Sequence, residues 1–407
     1  MNNGDKKMNV PRIRFKGFDG EWKITSFLNI AERISILANY RNLPCIEYED
    51  IISGENALNK DIFTKHTHKK GIAFSANDIL FGKLRPYLLN IYLPEFSGIA
   101  VGDFWVLRSV SVLPKFLLFL IFTPRFMRVA NISCGSKMPR SDWALVSESE
   151  FLVPSHDEQQ SIAQYFSSLD SLIKATEKKI ASLRQVKEAS LQAMFPAEGE
   201  TVPKVRFKGF GGEWKRIVVG DVGNTFSGLT GKNKLDFGVG EARYITFLNV
   251  LNNAQIDTDI LEYVNVSKDE RQNDVRIGDL FFNTSSETPE EVGMCSVLTQ
   301  DVRSVYLNSF CFGFRISDSG LCPEYMAYLM RGPVGRRIMS ILAQGATRFN
   351  LSKNNFLKAS IPCPQNYTEQ QKIASYFTNL DKQITIQTKR LEKLKLIKSA
   401  CLDAMFV

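Results

Sequence analysis

The stretch DEQQSIAQYFSSLD occupies residues 157–170, and TEQQKIASYFTNLD occupies 368–381, 211 residues further on. The match continues without a gap to QAMF (192–195) and DAMF (403–406), with 18 identities in the 38 positions from Glu158 to Phe195. In the first copy Ile162, Phe166, Leu169, Ile173, Ile180 and Leu183 recur at steps of three and four, the longer gap passing through Thr176. The second copy offers Ile373, Phe377, Leu380, Ile384, Leu391 and Leu394, with Gln387 at the equivalent polar place. This is a heptad seam, and neither copy contains Gly or Pro. A helix of about 38 residues would be about 57 Å long. Such a helix is too long to bury its seam inside one compact domain. Two copies can bury their seams against each other, and antiparallel pairing relates the halves of the chain by a pseudo-twofold axis. The alternative is that each helix packs on its own domain.

Working outward, the start of the chain is also repeated. Pro11–Lys23 and Pro203–Lys215 share ten of thirteen residues, including RFKGF and GEWK. Phe15, Phe18 and Trp22, and Phe207, Phe210 and Trp214, are the expected packing anchors around a glycine turn. Between opening and helix the halves diverge, yet their features keep one order. NDILFGK (77–83) answers IGDLFFN (277–283), each with an acidic turn residue before an apolar strand. DFWVLR (103–108) answers FCFGFR (310–315), each closing on arginine. Pro114 and Pro323 introduce apolar helical stretches, followed by the basic segments PRFMR (124–128) and GRRIM (335–339). Glycine loops follow, CGSKMPRSD (134–142) and QGATRFNLSK (344–353), and each half then ends on a strand and proline. The second opening closely follows the first helix, so the pseudo-twofold requires the first opening to lie near the end of the second helix. A circular permutant opened near residue 200 should then fold.

The 407 residues carry a formal charge of +8 with 44% apolar residues, a folded chain whose excess of cations favours polyanions. Seven cysteines, at 45, 134, 295, 311, 322, 363 and 401, form no CxxC pair and no zinc spacing, which fits a reducing cytosol. No apolar run spans a bilayer, and MNNGDKKMNV lacks the apolar core of a secretory signal. Enzyme signatures are absent. GLTGKNK (228–234) lacks phosphate-loop spacing, DFGVGEAR (236–243) has a lone GxG, and no [DNS]PP[YFW], GxSxG, HExxH or HRD is present. KHTHKK (65–70) reads as a basic loop rather than a metal site, since no third ligand is near.

What remains is basic and hydrogen-bonding character in the divergent interiors. FGKLRPY sets Lys83 and Arg85 on alternate positions of a strand end, beside Tyr87. The glycine-led loops place Lys137, Arg140, Arg348, Asn350 and Lys353, and FNTSSET supplies Asn283, Thr284 and Ser285. Arg and Lys suit phosphates and guanine, Asn suits adenine, and Ser or Thr suits either. These are the candidate DNA-binding residues; no catalytic or metal-ligating residue is assigned.

The twin openings, NDILFGKLRPY, GSKMPRSDW, GDLFFNTSSETPEEVG, ATRFNLSK and the twin EQQxIAxYFxxLD helices ending in AMF resemble the specificity subunits of type I restriction–modification enzymes. The resemblance implies an α+β protein. Two mixed α/β target-recognition domains are separated by a long antiparallel two-helix coiled coil, with a pseudo-twofold internal repeat. The limits are a tail over 1–10, recognition domains over 11–156 and 197–366, and spacer helices over 157–196 and 367–407. Each recognition domain would read one half of a split, asymmetric target in double-stranded DNA. The spacer would dock two modification (methyltransferase) subunits using S-adenosylmethionine. Restriction subunits, translocase and endonuclease, would use ATP and magnesium. This chain would be cytoplasmic and non-catalytic, without a cofactor of its own. The competing reading is a coiled-coil adaptor whose globular parts bind protein or RNA.

Overall fold

Both EQQ segments open helices of 38 residues, His156–Ala193 and Tyr367–Ala404. The computed structural model describes residues 9–38, 43–65, 69–132, 138–267 and 269–406. Contacts divide the chain into one unit of Met1–Lys178 with Thr388–Val407 and a second of Lys179–Gln387, so each unit holds part of both helices.

In the first unit the helices run in opposite directions, because Lys398 pairs with Asp170 (2.6 Å) and Lys395 with Glu177 (2.7 Å). The second unit repeats this sense, with Lys187 on Asp381 (2.5 Å) and the Ser190 hydroxyl beside that of Tyr376 (2.9 Å). The seam does more than join helices. Ile162, Phe166 and Leu169 enter the core of the first unit, and Ile373, Phe377 and Leu380 that of the second. Phe166 lies 5.1 Å from Phe119 and Phe377 lies 5.3 Å from Tyr328, ring centroid to centroid. Ile173 and Ile180 are buried; Leu183, Ile384, Leu391 and Leu394 are half-buried. Thr176 is also buried, its hydroxyl donating to the Leu172 carbonyl (2.7 Å) within its own helix. The N-terminal part of each seam therefore packs on a domain, and Leu183 and Leu394 further along also pack against the unit cores.

The first unit has a four-stranded antiparallel sheet in the order Ala31–Ile34, Phe104–Ser109, Ile79–Gly82, Ile91–Tyr92. The second unit uses Gly223–Ser227, Cys311–Ile316, Leu280–Asn283 and Cys295–Val297 in the same order. In each unit the strand after the opening pairs with the strand before the long helix: Lys23–Ser26 with Glu150–Val153, and Lys215–Val218 with Ser360–Cys363. The proline-led segments are helices of nine residues, Pro114–Phe122 and Pro323–Arg331, whose side chains fill the cores.

The repeated motifs correspond to repeated contacts. Arg14 of the first RFKGF reaches Glu158 of its EQQ with both carboxylate oxygens (2.7 Å each), and Arg206 reaches Glu369 likewise (2.6 and 2.8 Å). Each guanidinium also donates to two carbonyls of its glycine turn, Asp19 and Gly20 or Gly211 and Gly212. Both glutamates are 1% exposed, and the bidentate bonds they accept raise the pKa of each arginine above its ordinary value. The next residue, Gln159 or Gln370, accepts from the backbone N–H that begins the nine-residue helix, Leu113 (2.9 Å) or Cys322 (2.8 Å). Thus EQQ fastens an opening with its glutamate and caps a helix with its first glutamine. Trp22 and Trp214 are both buried anchors, against Phe406 and Phe195 respectively. The Ile13 N–H donates to the Ala404 carbonyl (3.0 Å), and the Val205 N–H donates to the Ala193 carbonyl (2.9 Å). The first opening does lie at the end of the second helix.

Candidate nucleic-acid interface

The acidic turn and the closing arginine of each half meet across the central strands. Arg108 pairs with Asp78 through two bonds of 2.8 Å, and Arg315 pairs with Asp279 at 2.8 and 2.7 Å. Each aspartate also accepts a backbone N–H three residues back, Ser75 or Arg276, so it closes the turn before its strand. The carboxylate raises the pKa of each arginine, and these cations belong to the frame.

Just beyond these strands the chain brings together the segments selected from sequence. In the first unit Leu84 bridges Arg140, the Ser141 N–H donates to the Lys83 carbonyl (2.9 Å), and the Arg85 N–H donates to the Pro139 carbonyl (2.8 Å). In the second unit Ser285 pairs with Asn350, and the Leu351 N–H donates to the Thr284 carbonyl (2.9 Å). Each unit thereby presents one face made from a strand end and a glycine loop.

On the first face Lys83 (3.6 Å) and Arg140 (3.0 Å) flank the carboxylate of Asp103. Arg85 is exposed and holds φ at +52°, a left-handed conformation disfavoured for arginine, just before the short helical turn Pro86–Leu88. Tyr87 on that turn is 56% exposed. Tyr48 stacks on Phe104 (4.5 Å) beneath this corner; its hydroxyl donates to the Asp103 carbonyl (2.5 Å) and accepts from the Leu84 N–H (3.2 Å). Burial pushes its pKa up to about 12, so it is a neutral strut. Lys137 lies outside the described residues, as do His66 and His68 of KHTHKK.

On the second face Arg348 and Asn350 are exposed, and no ion pair of Arg348 occurs among the described residues. Gly345 is required at the turn that carries them, since a Cβ there would lie 2.0 Å from the Arg348 carbonyl oxygen. Lys353 donates to the Ser227 hydroxyl (2.7 Å), and Thr284, half-buried, donates to the Phe310 carbonyl (2.8 Å). Ser285 is buried in the short strand pair. Asn283 differs from the expectation of a base contact. It is wholly buried, accepting from the Met294 N–H (2.6 Å) and donating to the carbonyls of Glu291 (2.9 Å) and Ser285 (3.3 Å), so it shapes the loop from below.

Sequence reasoning missed four groups that shape the faces: Tyr48, Asp103, Phe310 and Arg336. Arg336, in a segment read only as basic, turns inward and donates to the carbonyls of Glu290 (3.0 Å), Gly293 (3.1 Å) and Val292. Its neighbour Arg331 donates to four carbonyls, those of Cys295, Val250, Leu251 and Asn253. Burial lowers the pKa of both guanidinium groups, that of Arg331 to about 10. Lys232 of GLTGKNK is likewise committed, to Glu270 at 2.5 Å. The readable signal for Asp103 and Phe310 was their position, each immediately preceding the matched strand that carries the arginine.

Residues 211–396, which hold the whole second face, match the family described as "Type I restriction modification DNA specificity domain". This segment is similar to that family. Likeness of fold to solved structures extends over nearly the whole chain. A solved "Type-I restriction-modification system S subunit from M. genitalium" superposes with a TM-score of 0.61 at 12% identity, covering 98% of this chain and 99% of its own. A second solved chain, described under "Structural basis underlying complex assembly and conformational transition of the type I R-M system", gives 0.54 at 17% identity, with 94% and 96% covered. Among the described residues no helix is long and apolar enough to cross a membrane, and no cluster of acidic, cysteine and histidine side chains forms a metal site.

Proposed function

We propose that this chain is the specificity subunit of a type I restriction–modification complex, with each face reading one half of a split target in double-stranded DNA. The observation that carries this is the equivalence of the two faces: the same bridge between strand end and glycine loop, bearing different side chains. A repeated frame with unlike readers gives a bipartite, asymmetric target, as paired recognition modules do elsewhere. The domain limits follow the repeat: a tail over 1–10, readers over 11–156 and 197–366, helices over 157–196 and 367–407. The helices serve as an antiparallel coiled-coil spacer that relates the readers by a pseudo-twofold and sets the gap. The opposed ion pairs found separately within each unit support this arrangement.

The chain would be non-catalytic and cytoplasmic, acting with two methyltransferase subunits docked on the helices and with restriction subunits. S-adenosylmethionine, ATP and magnesium would belong to those partners. Sequencing modified bases in DNA from cells expressing the chain with its methyltransferase partner tests the reading. A target of two unlike short elements separated by an unspecified gap is expected; a continuous target would overturn it. Adding four residues to both helices, about 6 Å of rise, should lengthen that gap by roughly one or two base pairs.

A further inference from the structure

Asp103 and Phe310 occupy the same place in the two units. Each immediately precedes a central strand, and each carbonyl accepts an N–H from the neighbouring strand end, Lys83 (2.9 Å) or Thr284 (3.0 Å). Their side chains are opposite in kind. The Asp103 carboxylate holds Lys83 and Arg140, so the first face carries fixed cations, with an exposed ring supplied by Tyr87. At the second face the residue equivalent to Arg140 is Asn350, and that equivalent to Lys83 is Thr284; neither needs a counter-ion. Phe310 is 61% exposed there. Its backbone is nevertheless pinned: the N–H donates to Oδ1 of buried Asn308 (2.9 Å), and the carbonyl accepts from both the N–H and the hydroxyl of Thr284. A rigidly held ring turned to solvent beside hydrogen-bonding side chains is preorganised for an apolar contact.

We propose that Phe310 is a specificity-determining residue of the second face, making apolar contact with a thymine methyl group in the major groove of its half-site. Phenylalanine against the thymine methyl is a recognised element of direct readout, and it complements the adenine preference of an amide such as Asn350. The inference rests on the reading of the second face as a DNA reader.

The test uses the complete methyltransferase complex on duplexes of its mapped target, with each thymine of the second half-site replaced in turn by uracil, which lacks only the methyl. One replacement should slow methylation by wild type roughly tenfold. Phe310→Ala should lose about as much on the thymine duplex and lose nothing further on that uracil duplex, while keeping the first half-site and the melting temperature. Phe310→Leu should recover part of the loss. A half-site without thymine, or uracil effects that persist unchanged in Phe310→Ala, would overturn the proposal. Arg348→Ala and Asn350→Ala separate the two levels of failure. If they alter the second half-site and Phe310→Ala does not, only the ring contact fails. If none of the three alters it, the reading of the face fails as well.

Discussion

The two units share their buried, arginine-paired carboxylates and differ in their exposed side chains. Arg14 on Glu158 and Arg108 on Asp78 in the first unit correspond to Arg206 on Glu369 and Arg315 on Asp279 in the second. Beyond the strand ends, Lys83, Asp103 and Arg140 correspond to Thr284, Phe310 and Asn350, with no identity among them. A charge desolvated in the frame is intolerant of change because its partner would be left buried alone. A side chain on the face meets water in the free protein, so exchanging it alters what is bound while leaving the fold nearly unaffected. One frame can therefore carry unlike readers.

This contrast breaks most readily at the openings. Arg206→Met leaves the Glu369 carboxylate buried without its partner and should lower stability by about 3 kcal/mol, and Arg14→Met should do the same to the first unit. Arg348→Ala should stay within about 0.5 kcal/mol of wild type. Chemical denaturation of the assembled complex measures all three. If Arg206→Met and Arg348→Ala proved equally mild, frame and face would not be distinct.

A smaller effect sharpens the comparison inside the frame itself. The Trp22 Nε1–H donates to Glu158 (3.2 Å), whereas the equivalent Trp214 Nε1–H is buried with no partner among the described residues. Trp22→Phe should therefore cost roughly 1 kcal/mol more than Trp214→Phe, because only the first loses a hydrogen bond. Equal costs would show that the two openings are energetically alike despite this difference.

The frame was legible in the sequence because it rests on local rules and on repetition. The seam spacing and the absence of Gly and Pro marked both long helices, and the matched acidic turns and terminal arginines marked strands that pair through those same residues. The segments of the faces were legible too, and the fold brings them together in both units. The direction of individual side chains was not. Asn283 ends a strand buried on both sides, and Arg336 lies on the inner side of its helix, so an amide and a cation that resemble DNA ligands in composition serve the loop backbone instead. Phe310 resembles an ordinary core aromatic in sequence. Its exposure follows from preceding its strand by one residue, a boundary that apolar patterning does not fix.

The most direct test of the account replaces residues 24–150 by the equivalent domain of a relative with a different target and maps methylated sites in cells expressing the complex. One half of the split target should change, while the other half and the gap remain as before. Alteration of both halves, or of neither, would contradict two independent readers on one repeated frame.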